Sequence, residues 1–126
     1  MENLQIMIQK TDKYTEMSDL EINKRVFVAA KIEHEDTDLH SNKVFYGDGA
    51  NWIEFNPCNN PSDAMPIIIE NGISIIFDTG CKAWVAGIAY WVDGCEWQVS
   101  HEIERMNQYR AAMELFLLMK DTKNNQ

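Results

Sequence analysis

The side chains best suited to recognition chemistry in this chain are polar, and most of them lie in one turn. The stretch NPCNNPSD contains Asn56, Asn59, Asn60 and Asp63. Asn60 or Ser62 can cap a helix here, because a side-chain oxygen accepts hydrogen bonds from backbone N–H groups of the first turn. Helix starts also attract anions and the polar edges of ligands. The turn is therefore predicted to bind a ligand, although Asp63 argues against a plain phosphate site.

Arg110 is the cation predicted to complete this site. It lies in the first turn of the last predicted helix, where the helix dipole disfavours a positive charge. A carboxylate or an external anion should therefore compensate it. An ion pair within the chain, to Asp63, Glu70 or Glu104, is the alternative to a bound anionic ligand such as a nucleotide.

Aromatic side chains would supply the stacking contacts of such a site. The chain has four tryptophans, and a nucleobase can stack on an exposed indole ring. Trp84 and Trp97 fall on the predicted core face of a sheet. Trp52 lies just before the polar turn, and Trp91 lies near a predicted hairpin tip on the opposite face. Trp52 and Trp91 are therefore the predicted ligand or interface aromatics.

Neither a catalytic thiol nor a metal site is predicted. Cys95 and His101 are about 20 Å apart at about 3.3 Å per strand residue, too far for a nucleophile to reach its base. Cys58 near a helix start could have a lowered pKa, but the sequence places no histidine beside it. The stretch HEDTDLH, residues 34–40, lacks the rigid helical spacing of a metal motif. We expect no cofactor and no catalytic residue set.

The composition is that of an acidic globular protein. Its 126 residues, 45% of them hydrophobic, suffice for one core, so residues 1–126 are predicted as a single domain. Three cysteines without CxxC spacing fit a reducing compartment. We expect no secretory or membrane-spanning segment. A net charge of −9 repels phosphate backbones, so nucleic acid binding is not expected either.

Helices at both ends of the chain are predicted from their caps and apolar stripes. The first, at 19–31, begins with the S-x-x-E capping box of Ser18 and Glu21. The last, at 107–120, follows an asparagine cap and carries a wide apolar stripe. The polar residues 121–126 after it are predicted as a disordered tail.

A third helix, at 61–71, is predicted between the polar turn and the sheet. Proline is favoured at the first helical position, and Gly72 suits the left-handed residue that ends a helix. Pro66 leaves one alternative open, a tight turn at 61–64 followed by a helix from Met65.

A three-stranded antiparallel meander is predicted over 73–101. Asp93-Gly94 indicates a two-residue type I′ hairpin. That turn would give the pairs Val92 with Cys95, Tyr90 with Trp97, Ile88 with Val99, and Ala86 with His101. A loop at 79–82 would give the pairs Phe77 with Trp84 and Ile75 with Ala86.

This register divides the apolar residues of the meander between two faces. The predicted core face holds Ile73, Ile75, Phe77, Trp84, Ile88, Tyr90, Trp97 and Val99. The other face holds Ile76, Val85, Ala89 and Trp91, with Gln98 and Ser100. Because that face is too apolar to be bare, another helix or another subunit should cover it, which leaves a homo-oligomer among the alternatives.

The remaining segments complete an α/β fold of the α+β sandwich type, with a mainly antiparallel sheet. Period-two apolarity over Leu4, Ile6 and Ile8 predicts an N-terminal strand. Residues 33–51 are predicted as a long surface loop that could carry a short strand at 43–46. A brief strand over residues 52 to 55 would then lead into the polar turn.

Four blocks of the sequence resemble the NinX-type family of small proteins encoded by tailed phages of enteric bacteria. They are SDLEINK, FNPCNNPSDAMPIIIENGISIIF, Trp84-x-Ala86 and Arg110-Ala111-Ala112-Met113. The resemblance covers most of the chain and implies a small α/β sandwich made as an accessory gene product. It carries over no reaction. Many relatives have glycine or tryptophan near Met65, which puts the lining of any pocket there in doubt.

We therefore expect an accessory protein of the host cytoplasm that binds and does not catalyse. In the first hypothesis it counteracts host defence by sequestering a small nucleotide-type signal. The ligand-binding residues would be Arg110, Asn56, Asn59, Asn60, Asp63, Trp52 and Trp91. In the second hypothesis it is an acidic interaction module that blocks a basic site on a host defence or replication protein. A hydrolase using aspartate and histidine is a distant third.

Overall fold

The computed structural model describes residues 13–48 and 50–124. Their elements are, in order, α1 (Asp19–Ala29), β1 (Asp36–Asp38), β2 (Val44–Gly47), β3 (Trp52–Phe55), α2 (Pro61–Glu70), β4 (Ser74–Asp78), β5 (Ala83–Val92), β6 (Glu96–Arg105) and α3 (Gln108–Asn124). The strands form two antiparallel sheets, β1-β2-β3 and β4-β5-β6. This confirms the predicted α+β class and the meander. The predicted strand at Leu4, Ile6 and Ile8 lies outside the described residues.

Helix α3 is the centre of the packing. It contacts α1, α2 and all three strands of the second sheet. Residues 111–117 are therefore buried without interruption, and the only charged side chain among them is Glu114. The helix is longer than predicted, since residues 121–124 continue it where a disordered tail was expected.

The caps of α1 and α2 follow the sequence prediction. Ser18 accepts a hydrogen bond from the Glu21 N–H at 3.2 Å, and α1 then ends two residues early, before the positive φ of 53° at Lys31. Asn60 caps α2, which runs without a break through Pro66. The alternative of a helix beginning at Met65 is therefore wrong.

Residues 33–51 were predicted as a long loop that could carry a short strand at 43–46; β2 confirms that strand, and β1 is a second strand that was not expected. Strand β1 has the sequence Asp-Thr-Asp, so no apolar alternation marks it as a strand. It is held by pairing with β2, including a 3.0 Å hydrogen bond from the Thr37 hydroxyl to the Phe45 carbonyl oxygen. The sheet packs on α1 through a cluster of the Phe27, Tyr46 and Phe55 rings.

The β4–β5 pairing is as predicted, whereas the β5–β6 pairing is shifted by one residue from the hairpin to Ile88 and by two at Ala86, which pairs with Ile103 in place of His101. Ile75 pairs with Ala86 and Phe77 pairs with Trp84. At the hairpin, Val92 pairs with Glu96, so the loop has three residues. Only Gly94 in this loop has a positive φ, +73°, whereas a type I′ turn requires positive values at both central residues.

The shift moves β6 side chains near the tip to the opposite face of the sheet. Trp97 pairs with Trp91 in place of Tyr90, so the predicted faces were wrong at Trp97 and Val99 and at Gln98 and Ser100, which exchange sides. Phe77 and Tyr90 keep their predicted side but are 44% and 46% exposed, so they were not correctly predicted as core residues. A bulge at His101, with φ 58°, restores the inward alternation further along β6. Ile103 then lies opposite Ala86 in the core, and both side chains are buried.

Candidate functional site

The structure brings five of the seven predicted ligand-binding residues into one corner, where the N-termini of the three described helices meet. Asp19 is the first residue of α1, Asn60 caps α2, and Asn107 caps α3 by accepting hydrogen bonds from two backbone N–H groups. The five predicted residues are Asn56, Asn59, Asn60, Asp63 and Arg110. Most of the polar groups in this corner form hydrogen bonds with other protein atoms.

The asparagines of the turn bind protein atoms. The Asn56 side-chain oxygen accepts from Asn23 at 2.8 Å and from Asn59 at 3.1 Å, and the Asn56 N–H donates to Asp63 at 2.9 Å. The Asn23 side-chain oxygen accepts from the Cys58 N–H at 3.1 Å. Asn23 is a buried polar residue within the apolar stripe of α1, which was the sequence signal for this contact. The turn is thereby fastened to α1.

Arg110 lies deep in the corner and has partners within the chain. Its side chain is 12% exposed and forms ion pairs with Asp19 at 2.8 Å and Glu114 at 2.7 Å. It also donates to the backbone oxygens of Tyr14 and Met17. Burial opposes its charge, but the hydrogen bonds to Asp19 and Glu114 outweigh burial and raise the pKa of Arg110. The internal partners proposed from the sequence, Asp63, Glu70 and Glu104, were wrong.

Glu114, which was not predicted from the sequence, accepts hydrogen bonds from both arginines of this network. Its carboxylate is fully buried and also receives two hydrogen bonds from Arg105, at 2.9 and 2.8 Å. A buried carboxylate is stable only when it is paired and hydrogen-bonded, and two guanidinium groups meet that need. The available signal was a glutamate inside the apolar run of α3, four residues after Arg110. Arg110 is thus built into the core and offers little to an external anion.

The thiol beside this corner is held in its protonated form. Burial, with smaller contributions from Asp19 and Glu114, raises the pKa of Cys58 to about 12. Arg110 acts in the opposite direction but is outweighed. The lowered pKa considered for Cys58 from its position near a helix start is therefore wrong.

The two predicted aromatics lie on different sheets. Trp52 begins β3 and is 48% exposed, while Trp91 lies on β5 and is 49% exposed. The ring that Trp91 contacts is Trp97, with centroids 5.4 Å apart. Trp91 therefore belongs to a different surface from the corner.

An open groove of about 420 Å³ runs between α1 and the C-terminal half of α3. It is lined by Tyr14, Glu21, Lys24, Arg25, Val28, Ala29, Leu39, Leu117, Lys120 and Asp121. None of the seven predicted ligand-binding residues lines it.

Residues 13–48 and 50–124 hold no cluster of histidine, cysteine and acidic side chains suited to a metal ion. No helix in that part of the chain is long and apolar enough to cross a membrane.

The face of the second sheet that points away from α3, called here the outer face, exposes several apolar side chains. Cross-strand partners share a face and successive residues alternate, so the face opposite Ala86 and Ile103 follows from the pairing. Its members are Ile76, Val85, Gly87, Ala89, Trp91, Trp97 and Val99. Ile76 is 42% exposed and Trp97 is 69% exposed. The cover predicted for this face is not supplied by the described residues.

Gly87 leaves room for a neighbouring side chain on the outer face. A Cβ atom built on Gly87 would lie 2.1 Å from a Val99 methyl group, so the Val99 side chain lies directly over Gly87. Trp91 and Trp97 pack together in a T-shaped arrangement at the hairpin tip. The outer face thus carries an apolar strip of exposed and half-buried side chains that ends in two exposed indole rings.

One comparison with known proteins identifies a family. A family model described as "Bacteriophage P22, NinX" matches residues 13–120, a span that includes α1, α2, both sheets and most of α3. No curated protein and no solved structure matches the chain.

Proposed function

The chain belongs to the bacteriophage P22 NinX family, and on that premise we propose a phage accessory protein of the host cytoplasm that binds another protein without catalysing a reaction. The observation that supports this proposal is the outer face. Exposed tryptophans that are packed against each other are rigid anchors of the kind enriched in protein interfaces. An apolar strip on the surface of a monomer commonly marks such an interface.

The nucleotide-sequestering hypothesis has less support from the geometry. It requires a cation able to meet an anion, and Arg110 makes four hydrogen bonds within the chain out of the five N–H groups of a guanidinium. It also requires aromatic rings at the corner, and Trp91 lies on the outer face. The corner is better explained as a structural network that connects the N-termini of the three described helices.

A photo-crosslinking experiment tests the proposed function. A photoreactive amino acid replaces Ala89, an exposed small residue of the outer face, and the protein is expressed during phage infection. The matched control replaces Ile69 of α2, which is 71% exposed and lies outside the second sheet. We expect a discrete adduct with another polypeptide from position 89, none from position 69, and loss of the adduct with Trp97→Ser. If both positions remain free of adducts, the proposed function is wrong.

A further inference from the structure

We propose that the outer face selects a protein partner whose own apolar strip is bordered by lysine or arginine side chains. This inference rests on the proposed function and names the chemistry of the partner. It follows from the charges at the edge of the outer face.

Carboxylates border the outer face along β6 and at the end of β4. Glu104 pairs with Val85 and so shares its face, and its carboxylate accepts a 3.1 Å hydrogen bond from the Cys81 thiol. Glu102 precedes the inward-facing Ile103, so alternation places it on the outer face. Asp78 ends β4 on the same side.

Within residues 13–48 and 50–124, these carboxylates have no cationic partner. The ion pairs of the described residues involve Asp19, Glu21, Glu114 and Asp121, and none of them involves Asp78, Glu102 or Glu104. Lys82 lies next to this edge and is exposed. The border therefore carries excess negative charge that is free to meet an external cation.

This charge distribution distinguishes among the candidate occupants of the outer face. A second copy of the chain would bring the same carboxylates and a further net charge of −9 against the first, and facing like charges oppose association. Nucleic acid is repelled for the same reason. A polypeptide with basic groups beside an apolar strip could pack its apolar side chains on the indole rings and form ion pairs with the carboxylates. The two tryptophans then supply most of the apolar contact, while Glu102 and Glu104 make the interface selective for a basic partner.

Synthetic peptides test the selection directly. The probes are Trp-free peptides that share one alternating apolar pattern and carry lysine, glutamate or glutamine at the remaining positions. Binding is followed through the NMR signals of the indole N–H groups, with Trp52 on the first sheet as the internal reference. We expect the lysine peptide to shift the Trp91 and Trp97 signals at about tenfold lower concentration than the glutamate peptide. High salt should reduce that difference.

Charge variants test whether the carboxylates at the border of the outer face cause the preference for the lysine peptide. The double variant Glu102→Gln with Glu104→Gln should remove most of the preference for lysine over glutamate. The matched control, Glu33→Gln with Glu35→Gln, removes two exposed carboxylates before β1 and should leave the preference intact. Because all four side chains are exposed, neither double variant should impair folding.

Three outcomes would overturn the inference. The peptides could bind equally well, or the lysine preference could survive the Glu102 and Glu104 changes. Sedimentation velocity could show a dimer that Trp97→Asp dissociates, which would make the occupant a second copy. If crosslinking from Ala89 captures another protein while the peptides show no charge preference, the inference fails and the proposed function stands. If crosslinking also fails, both are wrong.

Discussion

Trp91 and Trp97 face each other across the β5–β6 hairpin, with ring centroids 5.4 Å apart and planes inclined by 67°. This contact exists because the hairpin loop has three residues, which places Trp97 opposite Trp91. The two-residue loop expected from Asp93-Gly94 would have placed Trp97 opposite Tyr90, on the other face. One residue of register therefore converts a predicted core aromatic into half of an exposed aromatic pair.

The first prediction separates the binding role of Trp97 from its contribution to stability. Trp97→Ser should abolish crosslinking from Ala89 yet lower the free energy of unfolding by less than about 1.5 kcal/mol, because an exposed aromatic pair contributes about 0.5–1.5 kcal/mol. Urea denaturation measures the stability. The control is Ile103→Ala, which empties a buried core position and should cost about 2–5 kcal/mol. If Trp97→Ser lowered the free energy of unfolding as much as Ile103→Ala, Trp97 would have a structural role.

The second prediction concerns the buried pair of Arg110 and Glu114. Arg110→Ala should lower the free energy of unfolding by about 3 kcal/mol, the lower end of the cost of breaking a buried ion pair, because Arg105 still neutralises Glu114. Arg25→Ala is the matched control, since Arg25 forms an exposed pair with Glu21 at 3.9 Å and should cost less than about 1 kcal/mol. Equal and small losses for the two variants would show that the Arg110 network does not stabilise the fold.

Local signals in the sequence were sufficient to predict where α1 and α2 begin and how β4 pairs with β5. The Ser18 and Asn60 caps use hydrogen bonds between near neighbours, which is why residue type and spacing predicted them. The pairing of Ile75 with Ala86 was also correct, because the apolar alternation on both strands fixes it once the loop length is known.

Contacts between residues distant in sequence could not be predicted in the same way. Asp19 meets Arg110 across 91 positions, and nothing in either local sequence indicates that the N-termini of α1 and α3 adjoin. The hairpin register failed for a different reason, since Asp-Gly is compatible with more than one turn type and only the φ angles decide. Five of the seven residues named from the sequence lie in one corner, but Arg110, predicted to meet an external anion, is paired within the chain.

The third prediction tests the corner as a ligand site. A broad panel of nucleotides should leave the melting temperature unchanged, because a ligand that binds only the folded state raises it and the corner offers little unused hydrogen-bonding capacity. Differential scanning fluorimetry measures this. A rise that is lost in Asn59→Ala would contradict this expectation and restore the sequestering hypothesis, since Asn59 lies at the exposed edge of the network.

The fourth prediction uses the two thiols whose pKa is raised. Hydrogen bonding to Glu104, followed by hydrogen bonding to Asp78, raises the pKa of Cys81 to about 11. Because the thiolate is the reactive form, the alkylation rate of Cys81 should keep increasing with pH up to about 11. Glu104→Gln removes the charge of the main acceptor and should move this increase to lower pH. Alkylation at a series of pH values, read by peptide mass spectrometry, measures both curves.

Cys58 provides the internal control for that experiment. Its pKa is raised to about 12, mainly by burial, so it should remain unmodified at each pH that preserves the fold and react once urea unfolds the chain. The Glu104→Gln change should leave this behaviour unaltered, because Glu104 is not among the groups that shift Cys58. If Cys81 gives the same curve with and without Glu104, the thiol does not contact this carboxylate in solution. The position of Glu104 on the outer face would be unaffected, because it follows from the pairing of Glu104 with Val85.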